Sequence, residues 1–126
     1  MGMNDMGSTV RQEIWDEEDA LKRVMGKEQI LAAMVESFLE TMPEHAQKLA
    51  DDLANKDISA AALSSHALKG AAANLSTQAL ANVAGNIERA CRNHASLDEV
   101  LAQYASFDEI FRQSCMVLSD WQSTRK

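Results

Sequence analysis

The sequence contains few of the residues that interrupt helices, with one proline and five glycines among 126 residues. Alanine, the strongest helix former, occurs 20 times. Apolar residues recur at spacings of three and four from about Asp16 to Trp121, and no stretch of strand length alternates polar and apolar residues. The pattern excludes a sheet protein and predicts an all-α fold.

Cysteines, basic residues and long apolar runs are also scarce. Cys91 and Cys115 lie too far apart for a disulfide framework or a zinc ribbon, so we expect reduced, buried thiols. Twelve basic residues against 19 acidic ones give a net charge of −7, which opposes binding to nucleic acid and to anionic membranes. Neither a membrane span of about 18 apolar residues nor a signal peptide is present, which predicts a cytoplasmic location.

The length fits a single domain, since domains have roughly 100–200 residues. Six helices are predicted, and Pro43 separates the second from the third, because proline disfavours helix in the residue before it. Leu101 is placed among the inward residues of the last helix. The predicted architecture is an antiparallel four-helix bundle with one or two short additional N-terminal helices, over residues 14–124. Residues 1–13 are predicted to be flexible, and we expect a monomer because one bundle uses all the apolar stripes.

Residues 64–75 carry the strongest functional signal. At about 100° per residue, Leu68 and Leu75 fall nearly opposite His66 around the helix, so the leucines anchor the core and His66 points outward. Neutral imidazole is a nucleophile near pH 7, and a hydrogen bond at one ring nitrogen can orient the other for attack. The pattern therefore indicates an exposed nucleophilic histidine.

The neighbours of His66 favour a phosphoryl group as what this histidine accepts. Lys69, three positions later, can lie beside the imidazole and offset the charge of a phosphate. Gly70 costs a helix about 1 kcal/mol relative to alanine, and close approach of a partner or a phosphoryl group would explain its presence. Together these residues predict a phosphoryl acceptor.

The run His66-Ala67-Leu68-Lys69-Gly70 resembles the HxLKG signature of histidine-containing phosphotransfer (HPt) domains. The resemblance extends over most of the chain and implies a helical bundle without kinase activity of its own. Such a domain accepts a phosphoryl group on one histidine from a receiver-domain aspartate and passes it to another receiver. The implied partners are receiver domains of response regulators or of hybrid sensor histidine kinases. Magnesium is expected on the receiver, and no metal or cofactor is expected on this chain.

Carried over to this sequence, the resemblance implies that His66 is the phosphoacceptor, Lys69 the charge-offsetting neighbour and Gly70 the residue that provides clearance. Glu88 resembles a family position whose polar side chain holds the non-attacking nitrogen of the histidine. The sequence departs from the family at two positions that are often glycine. These are occupied here by Ala73, which is still small, and by Ser76 at a predicted helix end.

Other functions are weighed against this one. A helical adaptor that docks receiver domains without accepting phosphate is the main alternative. Cys91 and His94 could supply two zinc ligands but lack two more, and di-iron bundles need a glutamate three residues before a histidine, where this chain has Met42, Leu63 and Cys91. His45 and His94 are predicted to be surface residues. No glycine-rich phosphate loop is present, so a kinase is not predicted.

Overall fold

The computed structural model describes residue 11 and residues 13–125. Over these residues the regular structure is entirely helical. Five helices follow one another along the chain: α1 (Glu17–Arg23), α2 (Glu28–Ala54), α3 (Ile58–Asn74), α4 (Gln78–Arg92) and α5 (Leu97–Ser123). The all-α prediction is confirmed. The segment predicted to be flexible, residues 1–13, lies outside the described residues except for Arg11 and Glu13, which are helical.

The four long helices form the bundle. α2 packs against α3 and α5, and α4 packs against the same two helices, so the four helices enclose one core. Turns of three or four residues, at 55–57, 75–77 and 93–96, join successive helices and make neighbours antiparallel. The short α1 packs on α2, and the Asp16 carboxylate caps it by accepting a hydrogen bond from the Asp19 amide. The predicted four-helix bundle with a short N-terminal helix is confirmed.

Every turn between the helices contains a residue in the left-handed backbone region. In each turn the amide two residues after the C-cap bonds back to a carbonyl of the preceding helix, as in the pair Asp57 and Asp52 at 2.8 Å. This arrangement usually uses glycine, yet four of the five left-handed residues carry side chains. They are Met25, Gly26, Lys56, Ser76 and His94.

The predicted helix break at Pro43 is wrong, because α2 continues through this residue to Ala54. Proline cannot donate the amide hydrogen bond to the Leu39 carbonyl and normally disrupts a helix interior. The two halves of α2 nevertheless bury a single apolar stripe against the bundle, and Pro43 lies on the exposed side. Packing of that stripe outweighs the local cost. The stripe consists of Leu31, Val35, Phe38, Leu49 and Leu53.

Two further expectations about burial need correction. Leu101 is 42% exposed, because its neighbour Val100 occupies the core position at this level of α5. Cys91 is buried as expected, whereas Cys115 is only half-buried, and both thiols are free. Within the part of the chain that the structure describes, no helix is long and apolar enough to cross a membrane.

Candidate functional site

The α3 helix presents His66 to solvent. Its N-terminus is capped by Asp57, whose carboxylate accepts a hydrogen bond from the Ala60 amide at 3.1 Å. Leu68 and Ala72 lie on the opposite side of the helix and are buried in the core, while 62% of the His66 side chain is exposed. His66 thus lies on the outward face that the helical spacing predicts.

Glu88, on the adjacent helix α4, contacts the imidazole directly. Its Oε2 atom lies 2.9 Å from Nδ1 of His66. The Glu88 side chain is only 10% exposed, so this carboxylate sits in the seam between α3 and α4 beneath the exposed histidine. Glu88 is therefore the protein group that fixes the orientation of the His66 ring.

Two cations hold the Glu88 carboxylate. Nζ of Lys69 lies 3.0 Å from Oε1, and Nε of Arg92 lies 2.9 Å from Oε2. Burial acts to raise the pKa of Glu88, but the hydrogen bonds from Lys69, Arg92 and His66 outweigh it and lower the pKa from 4.5 to about 2. The carboxylate is ionised at neutral pH and can only accept a hydrogen bond, so Nδ1 of His66 carries the proton. In the neutral form of the ring Nε2 then has the lone pair, and no described residue is hydrogen-bonded to it.

The structure places the Lys69 ammonium on the Glu88 carboxylate, the same group that contacts the imidazole. A buried carboxylate attracts the ammonium more strongly than a neutral ring does. With Lys69 and Arg92 both at Glu88, the cluster still carries a net charge of about +1 in a chain of net charge −7.

The two small residues of the predicted site have different surroundings. A Cβ atom built on Gly70 would meet nothing within 4 Å, so packing inside the described chain does not require glycine there. Ala73 is half-buried and lines a groove of about 530 Å³ between α3 and α4, together with Lys69, Gly85 and Arg89. The far flank of α3 borders a more apolar groove of about 380 Å³ against α2, lined by Met34, Phe38 and Met42 among others.

Sequence reasoning missed two residues of this cluster. Arg92 follows Glu88 by four positions on one helix, a spacing that favours an ion pair and could have been recognised. Gly85 lies in the middle of α4 and is buried, and a glycine inside a helix is itself a signal. Within the described residues there is no group of three or more His, Cys, Asp or Glu side chains that could hold a metal ion.

Comparison with known proteins identifies the family. The family model of the Hpt domain matches residues 33–116, which is two thirds of the chain and includes both His66 and Glu88. The chain belongs to the Hpt domain family. The phosphorelay intermediate protein rdeA of Dictyostelium discoideum is 26% identical to it over 97 residues, covering 77% of this chain. The chain spans only 38% of the length of that relative.

The fold of this Hpt domain has a counterpart among solved structures. The HPt domain of a sensor hybrid histidine kinase from Shewanella superposes with a TM-score of 0.68, covering 86% of this chain and 96% of the other. The two sequences are 19% identical, so this likeness concerns the fold. The family model and the solved structure thus agree that the chain has the Hpt fold.

Proposed function

We propose that this Hpt domain carries phosphoryl groups between receiver domains, accepting each group on His66. The observation that carries the proposal is the contact of Nδ1 of His66 with the buried Glu88 carboxylate in a side chain that is otherwise exposed, so that Nε2 of the neutral ring can act as the nucleophile. A ring held at one nitrogen by a carboxylate and open at the other is arranged for nucleophilic attack.

In the proposed transfer, the Nε2 lone pair attacks the phosphorus of a receiver aspartyl phosphate in line with the bond to be broken. The bond between phosphorus and the acyl oxygen breaks, and the aspartate leaves as a carboxylate with the electron pair. The phosphoryl group is then bonded to Nε2 of a ring that has become positive. Glu88, hydrogen-bonded to Nδ1 at 2.9 Å, stabilises that charge, and the reverse sequence delivers the group to a second receiver.

The neighbours of His66 have supporting roles in this proposal. Lys69 and the cluster's net positive charge offset the charge of the incoming phosphoryl group. Gly70 provides clearance for the receiver, which agrees with the open space around its Cα. The groove that Ala73 lines continues the same surface. Magnesium would be bound by the receiver, where it spreads the developing charge.

The partner class follows from the same chemistry. The chain has no glycine-rich phosphate loop, so the phosphoryl group is proposed to come from a receiver of a response regulator or of a hybrid sensor histidine kinase. The cytoplasmic location and the monomeric state predicted from the sequence stay predictions.

The experiment that tests the proposal is intact mass spectrometry under alkaline conditions, where phosphohistidine survives. The wild-type protein and His66→Gln are incubated with Mg²⁺ and a panel of receiver domains charged by acetyl phosphate. We expect one added phosphoryl group in the wild type and none in His66→Gln. His45→Gln is the matched control, because His45 is an exposed histidine on α2, and it should be labelled like the wild type.

The alternative function, an adaptor that docks receivers without accepting phosphate, has a different outcome in the same experiment. A folded wild-type protein that binds charged receivers but gains no mass would favour the adaptor. Incubation with ATP and Mg²⁺ alone should add no phosphoryl group to the wild type, and labelling there would contradict the prediction that the domain has no kinase activity of its own.

A further inference from the structure

Gly85 is buried in the middle of α4, one helical turn before Glu88. Glycine is unfavourable inside a helix, because its backbone loses more freedom on folding than that of any other residue. Its φ angle is not in the left-handed region, so no turn or backbone strain explains its presence. The side chains packed against this glycine offer an explanation for it.

The space above Gly85 is occupied by the Lys69 side chain from α3. A Cβ atom at position 85 would lie 3.2 Å from Cδ and 4.0 Å from Cγ of Lys69. The distance of 3.2 Å is shorter than most contacts that Cβ atoms make in proteins. Arg89 approaches from the same helix, with Nη1 at 3.5 Å from that position. The hydrocarbon stem of Lys69 therefore lies against the bare backbone of α4.

The same lysine side chain carries its charge to Glu88. The stem crosses α4 at Gly85, and its Nζ reaches Oε1 of Glu88 at 3.0 Å, three residues further along the same helix face. Gly70, the other glycine near His66, has nothing within 4 Å of its Cβ position. Of these two helical glycines, only Gly85 has a neighbouring side chain that an added Cβ would press against.

We propose that Gly85 is a positioning residue. Because it has no side chain, the stem of Lys69 can lie against the backbone of α4 at this point, which we call the Gly85 contact, and its ammonium can reach Glu88. The position of Lys69 in turn affects the hydrogen bond between Glu88 and His66. The inference rests on the proposed phosphotransfer function, because Lys69 and Glu88 matter here through His66. Gly85 does not touch the reacting atoms, and it is proposed to act through the side chain of Lys69.

The test adds a side chain at position 85, where the Lys69 stem lies, and measures the pKa of the Glu88 carboxyl by ¹³C NMR during a pH titration. Lys69 is one of the three groups that lower the pKa of Glu88, and Arg92 and His66 are the others that face this carboxylate. Gly85→Leu should raise the pKa of Glu88 toward the value measured in Lys69→Met, and Gly85→Ala should raise it by less. Circular dichroism checks that both variants remain folded, because a higher pKa of Glu88 removes part of its stabilising contribution while the replaced helical glycine adds some back.

A matched control and a double variant test whether position 85 affects Glu88 through Lys69. Asn82→Leu exchanges side chains of similar size at an exposed position of α4, and it should leave the pKa of Glu88 at the wild-type value. Gly85→Leu in the Lys69→Met background should have no further effect, since the group through which it acts has been removed. A wild-type pKa of Glu88 in folded Gly85→Leu, or an additional shift in the double variant, would overturn the proposal.

Phosphotransfer is measured separately, so the two proposals can fail independently. Gly85→Leu should slow phosphorylation of His66 about tenfold, to the rate of Lys69→Met, as expected for one displaced charged contact. If the wild type accepts no phosphate while Gly85→Leu still raises the pKa of Glu88, the transfer function fails and the positioning role stands. If transfer occurs in the wild type and the pKa does not respond, the positioning role fails.

Discussion

Lys69 and His66 bind the two different oxygens of a single carboxylate, that of Glu88, at 3.0 and 2.9 Å. Arg92 shares the oxygen that His66 uses. The exposed histidine is thereby coupled to two cations through this carboxylate, because a change in the charge of Glu88 alters the electrostatic environment of Nδ1. The pH dependence of the domain should therefore report on this cluster.

Glu88→Gln should weaken the dependence of stability on acid pH. The folded-state pKa of Glu88 is lowered from 4.5 to about 2, so its contribution to stability is present above pH 4.5 and is lost as the pH falls through about 2. Glutamine does not titrate. The difference in the free energy of unfolding between wild type and variant should shrink by roughly 2 kcal/mol between pH 5 and pH 2, allowing for solvent screening.

Urea denaturation at a series of pH values measures that difference. Glu13→Gln serves as the control, because Glu13 is an exposed glutamate on a helical segment. Its difference from the wild type should be nearly constant across the range. A constant difference for Glu88→Gln as well would show that the carboxylate is not held by the cations as the structure indicates.

Much of this architecture is readable from the sequence, and the missed parts share a physical cause. The periodicity of Leu68 and Leu75 is a local property, and it correctly places His66 on the outer face. The contact of Gly85 with Lys69 joins α4 to α3, and the spacing of residues within one helix carries no information about contacts between helices. Pro43 was misjudged for a similar reason, since burial of the α2 stripe in the bundle overrides a local preference.

Lys69→Ala should slow phosphorylation of His66 about tenfold without unfolding the bundle, because its side chain is 41% exposed and its ammonium contributes charge to the site. The rate is followed by quenching the transfer reaction at alkaline pH and measuring intact mass. Lys22→Ala, which removes an exposed lysine paired with Glu18 on α1, should transfer at the wild-type rate. Equal rates for the two variants would reduce Lys69 to an ordinary surface residue.

Ser76→Gly should be more stable than Ser76→Ala by about 1 kcal/mol. Ser76 has a φ of 62°, in the left-handed region that favours glycine, and its hydroxyl donates a 2.7 Å hydrogen bond to Asp19. Both variants lose that hydrogen bond, so their difference isolates the backbone. Thermal unfolding of the two measures it, and a more stable alanine variant would contradict the turn geometry.

Pro43→Ala should stabilise the domain by about 1–2 kcal/mol. Proline within a helix forfeits the hydrogen bond to the carbonyl four residues earlier, that of Leu39, and alanine restores the donor. The gain is smaller than the full helix-interior cost of about 3 kcal/mol, because α2 already accommodates the ring and alanine leaves the unfolded chain freer.

The size of this gain in stability distinguishes a continuous helix α2 from two helices divided at Pro43. Glu44→Ala, at the next exposed position, changes helix propensity only slightly and should alter stability by less than about 0.5 kcal/mol. If Pro43→Ala gains no more than this control in urea denaturation, the helix does not continue through residue 43, and the two-helix prediction from the sequence would be restored. A clear gain means that one buried stripe holds 27 residues in a single helix across its only proline.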